Sequence, residues 1–151
     1  MTAEFFKVPK QAKPVTLWVH PEGKVLAEIY VREQSLHHIG IEEPGELMNQ
    51  SEPFIVIHRD DLNEFRFYNK ASIVRIEYDD AVESAEDSLH CECHMMDGSL
   101  ITGRINGNFP ADRRRLYDYM NNKNFQFIPL HQGDGKVCLI NKQYINYTKS
   151  L

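Results

Sequence analysis

Among the residues whose types could do chemistry, the densest run is His90-Cys91-Glu92-Cys93-His94. Imidazole, thiolate and carboxylate are the usual donors to zinc, so the run invites a metal. Its spacing works against one. In an extended strand, side chains alternate between faces, which sends His90, Glu92 and His94 one way and Cys91 and Cys93 the other. The five cannot converge on one ion, and structural zinc motifs more commonly separate their cysteines by two to four residues. A metal-linked role would need ligands from elsewhere, for which His37 and His38 are the candidates. The preferred reading is a plain strand with two buried thiols, so no metal site and no cofactor is assigned.

A second group is Arg113-Arg114-Arg115, which opens a helical stretch ending near Asn122. Cations at a helix start oppose the macrodipole unless they are paired. Pairing with Asp112, Asp118 or the acidic first half is preferred over a site for phosphate or an acidic partner. Tyr117 beside them could stack on a base or lie half-buried in a core. Arg113, Arg114, Arg115 and Tyr117 are therefore the candidate contacts for a ligand or partner. No Gly-x-Ser-x-Gly, phosphate-cradling glycine loop, His-Glu-x-x-His or dinucleotide fingerprint occurs, and no catalytic residue is assigned.

The bulk numbers agree with a binding role. With 151 residues, 42% hydrophobic and 26% charged, the chain is globular in composition. No apolar run approaches the roughly 20 residues of a membrane span. The start Met1-Thr2-Ala3-Glu4-Phe5-Phe6-Lys7 lacks a basic, then apolar, signal pattern, so the expected location is cytoplasmic. Three cysteines, an odd number, fit reduced thiols. Charge is uneven. Residues 1–88 carry 9 Lys/Arg against 17 Asp/Glu, a balance of −8, and residues 89–151 carry 8 against 5, a balance of +3. Such halves favour self-association or protein contacts over general attraction to nucleic acid.

The elements that must position these groups are mostly strands. Residues 1–14 read as an extended lead-in. Val15, Leu17 and Val19 then alternate with polar or amphipathic residues, Pro21-Glu22-Gly23-Lys24 turns, and Val25 to Val31 returns. Pro44 to Asn49 reads as one helical turn closing on Asn, a residue tolerant of the left-handed conformation. Strands follow at Pro53–His58, Phe65–Tyr68 and Ile73–Tyr78, with a tight corner at Asn69-Lys70-Ala71-Ser72. Residues 79–88, with Asp79, Asp80, Glu83, Glu86 and Asp87, read as an acidic linker.

The order then recurs. Leu89–Met95 and Leu100–Ile105 flank Asp97-Gly98, a strong hairpin signal. Ala111–Asn122 places Leu116, Tyr119 and Met120 on one helix face, and strands follow at Phe125–Ile128, Val137–Ile140 and Ile145–Tyr147. Asn69, Lys70 and Ile73 match Asn141, Lys142 and Ile145 at a separation of 72 residues (141 − 69), and Met48-Asn49 matches Met120-Asn121 at the same separation. The expected organisation is a first unit at 15–78 and a second at 89–151.

A tight corner between strands running nearly at right angles bends one sheet until it closes into a small barrel. The chain resembles a tandem of Sm-like small barrels. Gly98, Gly103, Asp118-Tyr119-Met120-Asn121 and Asn141 to Ile145 carry the resemblance in the second unit. A helical insertion between Gly103 and Met120, a shorter Asp-to-Asn spacing and the absence of Arg-Gly in the second motif depart from it. The resemblance implies two five-stranded barrels, each with one short helix between its second and third strands. It implies a base-binding role for family asparagines, which Asn49 and Asn121 would carry. The chain is also similar to uncharacterised bacterial proteins with an Arg-Leu-x-Asp-x-(Leu/Met)-Asn helix like Arg115 to Asn121. The expected function is a non-enzymatic scaffold for protein association. The alternatives are RNA or single-stranded nucleic-acid binding by the second unit and a metal-linked role for His90 to His94.

Overall fold

The computed structural model describes residues 8–80, 88–106 and 114–151. The fold is mostly β. Strands β1 (Lys10–Val19) and β2 (Gly23–Arg32) form a ten-residue ladder from Lys10↔Arg32 to Val19↔Gly23. Val15, Leu17 and Val19 bury together with Val25, Ala27, Ile29 and Val31, the period-two pattern of a sheet with one covered face. Gly23 closes the turn at φ 87°, a conformation that costs glycine little. The ladder starts at Lys10, ahead of the apolar alternation, because β2 runs on to Arg32 and supplies partners.

Helix α1 (Pro44–Met48) follows, opened by proline at its first turn and by the Glu46 carboxylate accepting from Glu43 N at 2.7 Å. The buried Glu42 carboxylate ties the preceding loop down, accepting from Arg32 N at 3.0 Å and Gln50 Nε2 at 2.9 Å. Strands β3 (Phe54–Arg59), β4 (Glu64–Asn69) and β5 (Ile73–Asp79) complete the first half. The second half holds β6 (Leu89–Met95), β7 (Leu100–Ile105), α2 (Arg114–Met120), β8 (Phe127–His131), β9 (Lys136–Asn141) and β10 (Ile145–Ser150). The third strand of this half lies two residues later at its start than its apolar run suggests, because Phe125 N turns back to Asn122 O. Residues 81–87 of the acidic stretch lie outside the described residues.

All ten strands join in one antiparallel sheet, ordered β10-β6-β7-β8-β9-β5-β1-β2-β3-β4. Each half runs fifth, first, second, third, fourth strand, and β5 pairs with β9 to make the sheet continuous. Bulges at Trp18/Val19 and between Ile145 and Tyr147 bend the long strands. The ladder thins between β7 and β8 to the single pair Arg104↔His131, where Gly103 admits a close approach: a Cβ there would lie 3.0 Å from His131 O. Two apolar clusters result. The first surrounds Leu17, Ile29, Ile57, Ile73 and Ile76, and the second surrounds Ile105, Ile128, Leu130 and Ile140.

Candidate interaction surfaces

The two Asn-Lys corners are built alike. Each begins with an asparagine whose Oδ1 accepts from the backbone N two residues on, at 3.0 Å for both Asn69 and Asn141, and each continues as a short 3-10 turn. The following lysine reaches back to the end of the helix in its own half. Lys70 Nζ donates to Leu47 O and Gln50 O, both at 3.0 Å; Lys142 Nζ donates to Met120 O at 2.9 Å and Asn122 O at 2.8 Å. These carbonyls are the acceptors a helix end leaves unpaired, so each ammonium fixes a helix to a corner. Burial lowers the pKa of both lysines.

What differs is what lies across from each corner. Where the halves meet, β5 and β9 pair from Arg75↔Ile140 to Asp79↔Lys136, and Lys136 Nζ sits 3.1 Å from Asp79 and 3.8 Å from Glu77. Asn141 is fully buried. Its Nδ2 donates to Ile73 O at 2.9 Å, in the other half, and its Oδ1 also accepts from Gln126 Nε2 at 2.7 Å. Asn49 clasps the start of β8, accepting from Phe127 N at 2.8 Å and donating to Phe127 O at 3.0 Å. Tyr144 OH donates to Ala71 O at 2.8 Å. Phe127, Val137 and Leu139 belong to the second half yet pack in the core of the first. Asn49 itself, at φ −95°, is not left-handed as the sequence suggested; its side chain, rather than its backbone, explains the residue.

Among the described residues, the outer ends of the sheet lack such a cover. Strand β4 pairs only with β3, and β10 only with β6, among the described residues. By the 72- or 73-residue correspondence, Phe54, Phe65 and Phe67 stand where Phe127, Val137 and Leu139 stand in the other half. They are 52%, 38% and 59% exposed, whereas the latter three are 1% exposed or less. Asn69 is exposed where Asn141 is buried, and Ile145 is half-buried where Ile73 is buried. Among the described residues, the Asn121 side chain, the counterpart of Asn49, donates only to Tyr117 O of its own helix, at 2.9 Å. Met120 is half-buried where Met48 is buried.

The remaining sequence candidates fall elsewhere. Arg113 lies outside the described residues, and Arg114 and Arg115 open α2. Tyr117 on the same helix is 71% exposed, while Leu116, Tyr119 and Met120 turn to the second core. In β6, Cys91 and Cys93 are buried; Glu92 meets His94 at 2.5 Å, and His94 stacks on Tyr147 with ring centroids 4.2 Å apart. The Cys91–Cys93 hydrogen bond and then burial push the Cys93 thiol up, and burial pushes Cys138 up to about 12. The same bond lowers the Cys91 thiol, while Cys93 and Cys138 stay protonated at neutral pH. No helix among the described residues is long and apolar enough to cross a membrane. Compared with known proteins, the chain matches no family model, no curated protein and no solved structure.

Proposed function

We propose that this protein is a scaffold of two Sm-like small barrels that associates with further copies of itself, head to tail, through its two open sheet edges. The β5–β9 joint is the observation that carries the reading, because it supplies a template within one chain. Moving that joint by the 72-residue correspondence sets β4 of one copy beside β10 of the next. Its register opposes Phe67 to Thr148 and Arg66 to Lys149, as Leu139 opposes Ile76 and Cys138 opposes Glu77 within the chain. Phe54, Phe65 and Phe67 would then enter the second core of the neighbouring copy beside Met120 and Ile145. Asn69 would donate to the Ile145 carbonyl as Asn141 donates to that of Ile73, and Asn121 would clasp Phe54.

Electrostatics favour the same pairing. The diagonal Lys136–Glu77 pair becomes Glu64 against Lys149, reversed in sign but still complementary. The acidic first half also meets the basic second half. An unpaired strand edge with exposed aromatics is a ready template for a further strand, and a head-to-tail contact closes into a ring or extends into a filament.

Light scattering across a concentration series tests the reading, with absorbance at 260 and 280 nm recorded on the same untagged sample. The expected result is a mass of several chains free of nucleic acid, reduced to one chain by Phe67→Asp with the melting temperature kept. Mild oxidation of a mixture of Phe67→Cys and Thr148→Cys chains should give the mixed disulfide. A single-chain mass at every concentration contradicts self-association. Nucleic acid that co-purifies and leaves at high salt favours RNA binding instead.

A further inference from the structure

We propose that Glu28, His58 and Asp60 form a binding site for one divalent transition-metal ion, with zinc as the best match. The inference rests on geometry within one chain.

Pairing of β2 with β3 sets Glu28 directly opposite His58. Their neighbours Ala27, Ile29, Ile57 and Arg59 are buried, so Glu28 and His58 share the outer face of the sheet. Asp60 follows the last residue of β3, and the turn, with Asn63 at φ 48°, brings Asn63 back to the histidine. His58 Nδ1 lies 3.6 Å from Glu28 Oε1 and 3.6 Å from Asp60 Oδ1. Among the described residues, this is the one group of three or more such side chains whose ligand atoms all come within 4.8 Å of one another.

The hydrogen bonding singles the atom out. His58 Nε2 lies 3.0 Å from Asn63 Oδ1, an amide oxygen that can only accept, so Nε2 carries a proton. In the neutral ring Nδ1 is then a bare lone pair. It is buried, has no hydrogen-bond partner, and faces two carboxylates beyond hydrogen-bond length. With the ring in that neutral form, three electron-rich atoms converge with nothing positive between them. Neither carboxylate has a lysine or arginine within ion-pair distance among the described residues; His58 is the basic side chain beside both.

The spacing suits a metal. Zinc bonds of about 2.0–2.2 Å in a tetrahedral arrangement put neighbouring ligand atoms roughly 3.4 Å apart. An Nε2–H held by a second-shell oxygen is the usual way a metal-ligating histidine is oriented. Two carboxylates would neutralise a dication, and the half-exposed Asp60 leaves a fourth position to water. The Phe65 ring, 4.9 Å from the imidazole, shields one side.

The competing occupant is a proton on Nδ1, and zinc titration separates the two. The untagged full chain, stripped with EDTA, is titrated with zinc sulfate by calorimetry at neutral pH, with thermal melting and nitrogen-15 spectra of the imidazoles alongside. We expect one equivalent of zinc per chain, a raised melting temperature, and a His58 Nδ1 resonance shifted by metal. Glu28→Gln and His58→Gln should each weaken binding at least tenfold, and Asn63→Ala about tenfold as a second-shell change. Glu28→Gln alters a half-exposed strand position and keeps the test valid if His58→Gln misfolds. Absence of binding, zinc binding unaffected by Glu28→Gln, or an Nδ1 protonated at neutral pH and unmoved by zinc would each overturn the proposal.

Discussion

Replacing Asn141 and Asn69 one at a time by alanine asks the same question of two positions with the same local frame. Asn141→Ala removes the donor to Ile73 O and the acceptor of Gln143 N and Gln126 Nε2. Gln126 and Gln143 are exposed and can turn to water; Ile73 is fully buried, and its carbonyl loses a partner in the middle of the joint. A buried group left unpaired costs about 1–3 kcal/mol, and each lost ordinary bond about 0.5–1.5 kcal/mol. The sum for Asn141→Ala is about 3 kcal/mol, which for a chain of this size corresponds to a melting temperature lower by roughly 6–12 °C. Asn69→Ala loses one bond, from Ala71 N, at an exposed turn, and should cost about 0.5–1 kcal/mol. Urea denaturation of both variants at a concentration where the wild type is a single chain measures the difference. Equal losses, within about 0.5 kcal/mol, would show that the joint does not rest on Asn141. At higher concentration the ranking should change: Asn69→Ala weakens association, having lost the donor for the neighbouring copy.

Three further outcomes follow from burial. Stability should fall as pH rises above about 9: Cys138 and Tyr119 are each pushed up to about 12, and Cys93 and Tyr78 higher still, chiefly by burial except at Cys93, where the thiol–thiol bond leads. The folded chain keeps protons that the unfolded chain releases near 9 and 10, so the slope is negative, about 1.4 kcal/mol per pH unit for each proton. Lys70 and Lys142, lowered by burial, and Cys91, lowered by its bond to Cys93, act in the opposite sense but are outnumbered; urea midpoints at pH 8 and 10.5 that stay level would contradict this balance. All three cysteines are free and buried, so a thiol reagent should label none in the native chain and all three in urea; fast native labelling would disprove the packing of β6 against β9. Gly103→Ala sets a Cβ 3.0 Å from His131 O and 3.1 Å from Leu130 Cβ, and should cost about 1–3 kcal/mol by overpacking; an unchanged urea midpoint would show that β7 and β8 can separate freely.

The sequence by itself determined the strands, both corners and the correspondence between Asn69-Lys70 and Asn141-Lys142, because period-two burial and turn chemistry are local properties. It separated the thiols of β6 from its histidines for the same reason. It read Asn49 as the residue that closes α1, which it is, but could not place its side chain on Phe127, since the two are joined by a clasp across 78 residues. Nor could it assemble Glu28, His58 and Asp60: nothing in a sequence states which residue of β2 faces which residue of β3. Above all, equal motifs at Asn69 and Asn141 carry no sign that one is buried and the other exposed. That asymmetry arises only when β5 meets β9, because the sheet joins the halves at one edge of each and leaves the other edge of each without a further strand among the described residues.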